Sequence, residues 1–154
     1  MIDEMSAVNA RAILVVDDSY DDFDTVLMAA RRANVRNRIV HAADADAAQR
    51  LISDGTVPFA FMLLDYDMPG VDGLGFLQRL RKDSIGGKLP TIVFTASVNP
   101  RDRDAFYDAG ANAYHVKTVR FEDCLDTLEH IFHYWLRHAA LPDVDRDAAG
   151  AGRH

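Results

Sequence analysis

The chain has 154 residues, enough for one domain with a core of its own. Its hydrophobic fraction of 49% and charged fraction of 27% are those of an ordinary globular protein. The formal net charge of −7, from 24 acidic against 17 basic residues, argues against a general nucleic-acid binder, which needs a basic face; it leaves cations, basic surfaces and other proteins as partners.

Cys124 is the one cysteine, so an intramolecular disulfide is excluded and a reducing cytosol fits. The stretch Met1 to Arg11 has no apolar run of signal-peptide type. The longest apolar run, Phe59-Ala60-Phe61-Met62-Leu63-Leu64, falls well short of the ~20 residues a membrane span needs. A cytoplasmic protein is expected.

Short apolar runs alternate with amphipathic stretches. Ala12 to Val16 lacks polar alternation and reads as a strand buried on both faces, as in a parallel sheet. Ser19-Tyr20-Asp21-Asp22 is a capping-box-like helix start, and Phe23, Val26, Leu27 and Ala30 follow at helical spacing as far as about Asn34. A second strand is expected over Arg38 to Ala42. Asp44 then caps a helix with Ala47, Ala48, Leu51 and Ile52 on one face, stopped by Asp54-Gly55. Phe59 to Leu64 is the third strand, and Asp72-Gly73 opens a helix bearing Leu74, Leu77 and Leu80. Thr91 to Phe94 forms the fourth strand. The fourth helix has Asn99 at its cap, Pro100 in its first turn and Gly110 past its end. Ala113 to Val116 is a short fifth strand, and a last helix is expected over Phe121 to Arg137. The domain expectation is an arm over 1–10, one domain over 11–138 and a disordered tail over 139–154, with no second domain. The fold class is α/β, a five-stranded parallel sheet with helices on both faces.

In open parallel sheets, ligands bind beyond the carboxyl ends of the strands. Strand one runs into Asp17-Asp18, strand three into Asp65-Tyr66-Asp67, strand four ends at Thr95-Ala96, and strand five at Lys117. Carboxylates, a hydroxyl and an ammonium therefore converge on one edge. Crowded carboxylates are tolerated around a hard divalent cation, and Mg²⁺ prefers oxygen ligands. A carboxylate nucleophile, Mg²⁺, a lysine and a hydroxyl form a phosphoryl-transfer set.

The acidic pair, Asp65 with Met68-Pro69-Gly70, Thr95-Ala96 and Lys117 together resemble the receiver domain of two-component response regulators, over residues 11 to 138. The resemblance implies a flavodoxin-like sheet of strand order 2-1-3-4-5. It implies that Asp65 accepts the phosphoryl group from a histidine kinase. Mg²⁺ would be held by Asp18 directly, by Asp17 mainly through water, by Asp65, and by the backbone carbonyl of Asp67. Thr95 and the amide of Ala96 would hold phosphoryl oxygens, with Lys117 pairing with another. Tyr114 would be a switch that follows Thr95. The stretches Ala33 to Asn37, Gly110 to Tyr114 and Phe132 to Leu136 are similar to those of stand-alone receivers that partner bacterial phytochrome-type histidine kinases.

Two positions depart from the family pattern. Thr118 stands where receivers carry a proline joined to the lysine by a cis bond. A non-proline cis bond costs about 3 kcal/mol, so a trans bond and a rearranged loop are expected, which bears on the reach of Lys117. Asp67 stands where many receivers have asparagine, a change that bears on the lifetime of the phosphoryl group.

Plainer readings stand beside these. Asp17-Asp18 also suits a solvated turn or cap, Thr95 a strand residue, Lys117 a surface lysine and Tyr114 a structural tyrosine. Asp21, Asp22 and Asp24 read better as cap and helix surface than as ligands. His130 and His133 lack an evident third metal ligand, and Cys124 reads as a small helix residue. On the last helix, Phe121, Leu125, Leu128, Phe132 and Trp135 are expected to face the core. Ile131, Tyr134 and Leu136 are left for another surface, which suggests a homodimer through the fourth helix, fifth strand and fifth helix. Two rival functions are a haloacid-dehalogenase-type phosphatase, which Asp65-Tyr66-Asp67 resembles, and a pseudo-receiver that binds partners without taking phosphate.

Overall fold

The computed structural model describes residues 11–143. The expected arm over 1–10 lies outside the described residues, as does the expected tail over 139–154 from 144 onward; within its first residues Leu141 packs against the core and the Pro142 carbonyl accepts from Arg11 at 2.8 Å.

Apolar runs that cannot alternate faces become strands covered on both sides, and here they set the sheet's centre. β1 (Ala12–Val16), β3 (Phe59–Leu64) and β4 (Thr91–Thr95) are buried almost throughout, while β2 (Ile39–Ala42) and β5 (Ala113–Val116) are largely half-buried. The five strands pair in parallel in the order β2-β1-β3-β4-β5, so β2 and β5 are the edges. The strand order turns back between β1 and β3, the place where such sheets open a ligand crevice.

Between the strands run α1 (Tyr20–Arg32), α2 (Ala45–Asp54), α3 (Gly73–Leu80), α4 (Pro100–Asp108) and α5 (Phe121–His133). The caps form as the sequence leads one to expect. Ser19 Oγ accepts from the Asp22 amide at 3.1 Å, Asp44 from Ala47 at 2.7 Å, Asp72 from Gly75 at 2.8 Å and Asn99 from Arg101 at 2.9 Å. Gly55 ends α2 in the left-handed conformation.

The pleat sorts side chains into two cores. Ile13, Val15, Phe61 and Leu63 face α1 and α5, meeting Val26, Ala29, Leu125, Leu128 and Phe132. Leu14, Val16, Met62 and Leu64 face the other way, onto Ala48, Ile52, Phe76, Leu77 and Phe106.

The last helix differs from the expectation. Ile131 and Leu136, assigned to an outer surface, are buried in the core, while Phe121, assigned to the core, is exposed; Tyr134 is exposed as expected. Two physical causes account for this. α5 covers both the sheet and α1, so its apolar stripe is broader than one face requires. Its end also widens into a π-helical turn, Tyr134–His138, which turns Leu136 inward beside a half-buried Trp135. The apolar cluster that suggested a dimer surface is reduced accordingly. Among the described residues no helix is long and apolar enough to cross a membrane.

Candidate functional site

Register brings the site together. Val16 of β1 lies beside Leu64 of β3, so Asp17 and Asp65 leave the sheet as neighbours, and the Asp65 amide donates to the Val16 carbonyl at 3.0 Å. Thr95 of β4 lies beside Val116 of β5, and the Lys117 amide donates to the Thr95 carbonyl at 2.7 Å. Four consecutive chemical groups thus sit on three adjacent strand ends and one edge.

The centre of the cluster is the Lys117 ammonium. It lies 2.9 Å from Asp17 Oδ2, 2.8 Å from Asp22 Oδ2 and 3.4 Å from Asp65 Oδ2. Its cation also stands 5.7 Å from the centre of the Phe94 ring. The Lys117–Thr118 bond is trans, as expected, for no cis peptide occurs among the described residues. The reach of Lys117 survives it. The loop that follows is stapled to α5, where Cys124 Sγ donates to the Thr118 carbonyl at 3.3 Å.

Asp65 and Asp17 are both nearly buried, and Thr95 is wholly so. The second oxygen of each carboxylate is fixed by backbone: Asp65 Oδ1 accepts from the Tyr66 amide at 2.8 Å, and Asp17 Oδ1 from the Ser19 amide at 2.9 Å. Burial pushes the Asp65 carboxyl up, and the Lys117 charge, the Tyr66 amide and the Thr95 hydroxyl offset part of that rise. Burial likewise raises Asp17 to about 6 against the pull of Lys117. Burial alone would lower Lys117, yet its bonds to Asp22 and Asp17 and the charges of Asp17 and Asp65 hold the ammonium above the ordinary lysine range.

These groups fit a hard cation. One carboxylate oxygen from each of Asp17, Asp22 and Asp65 lies within 4.8 Å of the others. A single lysine does not balance three carboxylates, and to the rise that burial imposes on Asp17 the neighbouring Asp65 charge adds a small further one. Oxygen donors with surplus negative charge are the set Mg²⁺ takes.

The remaining expected residues spread around this centre. Asp18 and Asp67 are exposed and line an adjoining opening with Tyr66, Met68, Pro69 and Asp72. Asp18 therefore stands beside the grouped carboxylates rather than among them. Ala96 is exposed just past Thr95. Tyr114 packs its ring near Phe106, at 5.8 Å between centroids, and its hydroxyl donates to the Ser97 carbonyl at 3.0 Å.

Two residues escaped the sequence reading. Asp22, read as cap and helix surface, is a full member of the cluster. Gly73 lies so close under the β3 end that a Cβ there would stand 2.0 Å from the Asp65 carbonyl oxygen. Its own amide donates to the Tyr66 carbonyl at 2.9 Å, so the helix start braces the strand end that carries Asp65. A glycine directly after the Asp72 cap was the available signal.

The model of the response regulator receiver domain matches residues 13–129. The chain belongs to that receiver family. A probable methanogenesis regulatory protein, FilR2 of Methanothrix harundinacea, is 31% identical over 139 residues, covering 87% of this receiver and 89% of that protein. The response regulator Rcp1 of Synechocystis sp. is 25% identical over 137 residues, covering 86% and 93%. The solved Mn²⁺-bound form of Rcp1 superposes with a TM-score of 0.80, covering 86% of this receiver and 99% of that chain. The solved bacteriophytochrome response regulator AtBRR is 27% identical with a TM-score of 0.63, covering 86% of this receiver and 97% of that chain. The receiver's strand order and five helices are those of this flavodoxin-like fold.

Proposed function

We propose that the chain is a phosphorylation-controlled signalling switch that takes a phosphoryl group onto Asp65 from the phosphohistidine of a histidine kinase. The observation that carries this reading is one cluster. A carboxylate at the end of β3 is met by an ammonium from β5, a buried hydroxyl from β4 and a second carboxylate from β1.

The chemistry follows from what each group offers. An Asp65 oxygen attacks phosphorus; a new O–P bond forms as the P–N bond to the donor imidazole breaks, and the imidazole leaves with the electron pair. The raised pKa of Asp65 reflects a poorly solvated carboxylate, and the Lys117 charge keeps it available as the anion. Lys117 is placed to follow negative charge from the carboxylate to a phosphoryl oxygen, and the Thr95 hydroxyl and Ala96 amide to bind others. Asp17, Asp18, Asp65 and the Asp67 carbonyl would hold Mg²⁺, which when bound supplies neutralising charge to the phosphoryl oxygens. Thr95 is drawn to the phosphoryl group, and Tyr114 loses its present partner, the Ser97 carbonyl, as the loop after β4 shifts. Output then comes from altered contacts of α4, β5 and α5, or from relay of the phosphoryl group to another histidine.

A phytochrome-type kinase as partner is supported by AtBRR, named as a bacteriophytochrome response regulator. A cytoplasmic location and a homodimer through α4, β5 and α5 complete the reading; exposed Tyr107 on α4 and the half-buried β5 edge supply that face. A monomeric mass in light scattering at high protein concentration would remove the dimer.

The test is intact mass after incubation with Mg²⁺ and acetyl phosphate. Wild type gains one phosphoryl group in a Mg²⁺-dependent way, and Asp65→Asn gains none. A folded, Mg²⁺-binding wild type that gains nothing from acetyl phosphate or from a phosphorylated histidine kinase would instead be a phosphate-independent binding module.

A further inference from the structure

Asp22 occupies the third position of α1, where an acidic residue ordinarily reaches back to the amide of the cap residue. That partner is taken here. The Ser19 amide already donates to Asp17 Oδ1 at 2.9 Å. Ser19 Oγ meanwhile accepts from the Asp22 amide at 3.1 Å, which fixes the backbone beneath the carboxylate. The Asp22 side chain is thus free of its usual cap role. It turns to the Lys117 ammonium, 95 residues away in the chain, with the shortest of that group's three carboxylate contacts.

An ammonium has three N–H donors. Three carboxylates face them, so no donor is left over for a phosphoryl oxygen that arrives as a fourth acceptor; the two non-acceptors of phosphate, Asp22 at 2.8 Å and Asp17 at 2.9 Å, hold the lysine more closely than Asp65 at 3.4 Å. Asp22 differs from Asp17 in its surroundings. Its side chain is 42% exposed, against 7% for Asp17, so it can release the lysine to water at little desolvation cost.

Building on the phosphoacceptor reading above, we propose that Asp22 is a positioning residue that tethers Lys117 toward α1 and restrains phosphorylation of Asp65. As acetyl phosphate reacts, the Asp65 O–P bond forms, the acetyl C–O–P link breaks at phosphorus, and acetate leaves with the electron pair. One Lys117 N–H must pass to a phosphoryl oxygen in that step. With Asp22 present it is drawn from a competing carboxylate; without it, the lysine keeps Asp17 as anchor and turns a donor toward Asp65. Removal of the Asp22 charge also lowers the repulsion met by an anionic donor.

The experiment compares wild type, Asp22→Asn and Asp22→Glu at saturating Mg²⁺, following phosphorylation by acetyl phosphate, with thermal midpoints confirming that each is folded. Asp22→Asn raises the maximal rate on the order of tenfold, the scale of one charge-assisted contact redirected to the transferring group. Asp22→Glu restores the restraint. A second readout reports the tether itself: the ¹⁵N resonance of the Lys117 ammonium. In Asp22→Asn without ligand it moves toward the position that wild type reaches only with beryllofluoride, a phosphoryl mimic. An unchanged or lower rate in Asp22→Asn, or an unmoved lysine resonance, overturns the proposal while leaving the phosphoacceptor reading intact. A wild type that neither gains a phosphoryl group nor responds to beryllofluoride overturns both.

Discussion

The two helices nearest β5, α5 and α4, are held to the molecule in very different ways. α5 buries Leu125, Leu128, Ile131 and Phe132, and Arg32 of α1 reaches across to Glu122, Asp126 and Glu129 at 3.0, 3.3 and 2.9 Å. α4 buries one side chain, Phe106. Its N-terminal end is tied by polar contacts, Ser97 Oγ donating to Asp102 and the Tyr114 hydroxyl to the Ser97 carbonyl. Buried apolar area sets how much free energy an element loses when it moves. The lesson is a division of labour around one site. Lys117 is anchored between elements that resist movement, while Thr95 leads into a segment that moves cheaply.

The sharpest way to break this comparison is to empty each anchor in turn. Phe132 is packed on Phe61 with 6.3 Å between ring centroids. Phe132→Ala is expected to lower unfolding free energy by about 3–5 kcal/mol in a urea titration. Phe106→Ala is expected to cost less, because α4 can settle into the space; an equal or larger loss would erase the distinction.

The next effect is a pH dependence on the rigid side. The Asp17 carboxyl rises from 3.8 to about 6 on folding, so the folded protein holds that proton more tightly. Stability from this source is full below about pH 4 and is lost as pH rises through 6, on the order of 3 kcal/mol without a divalent cation. Chelator-treated wild type should show this fall in its thermal midpoint. Asp17→Asn should flatten it, and added Mg²⁺ should reverse it above pH 6.

Much of this was readable from the chain. The unbroken apolar runs marked the buried strands, and Ser19, Asp44, Asp72 and Asn99 each cap the helix they precede. Placement of Asp17, Asp65, Thr95 and Lys117 at one edge followed from strand ends alone. What escaped depended on three-dimensional competition. Asp22 looked like a capping acid until Asp17 proved to occupy the cap amide. Ile131 looked surplus because α5 also packs on α1, which one helical stripe does not reveal, and Leu136 because a strict α-helical count cannot foresee a wider last turn. Gly73 looked like an ordinary helix start; a glycine after the Asp72 cap hinted at a close approach, but which backbone it approaches, the Asp65 carbonyl, shows only in three dimensions.

Two smaller effects sharpen the picture further. Tyr114→Phe removes one hydrogen bond to the Ser97 carbonyl and is expected to cost about 1 kcal/mol. Hydrogen exchange should then quicken at the start of α4 and stay unchanged in α5. Arg32→Ala should give the smallest response, a slight drop in thermal midpoint that disappears at high salt, because its three acidic partners are paired near the surface.

The π-helical turn at Tyr134–His138 has a consequence for anything joined beyond it. An α-helix advances about 100° per residue, so one residue more or fewer turns its far end by that angle. The wide turn is closed by the Ala139 amide donating to the Tyr134 carbonyl at 2.7 Å, and it acts as a one-residue insertion whose surplus is absorbed locally. The chain then leaves the helix in an extended conformation at Ala139, and Leu141 packs back against the core. The direction in which the chain leaves the receiver is thus set by those contacts, Leu141 on the core and the Pro142 carbonyl accepting from Arg11 at 2.8 Å, rather than by the count of helical residues.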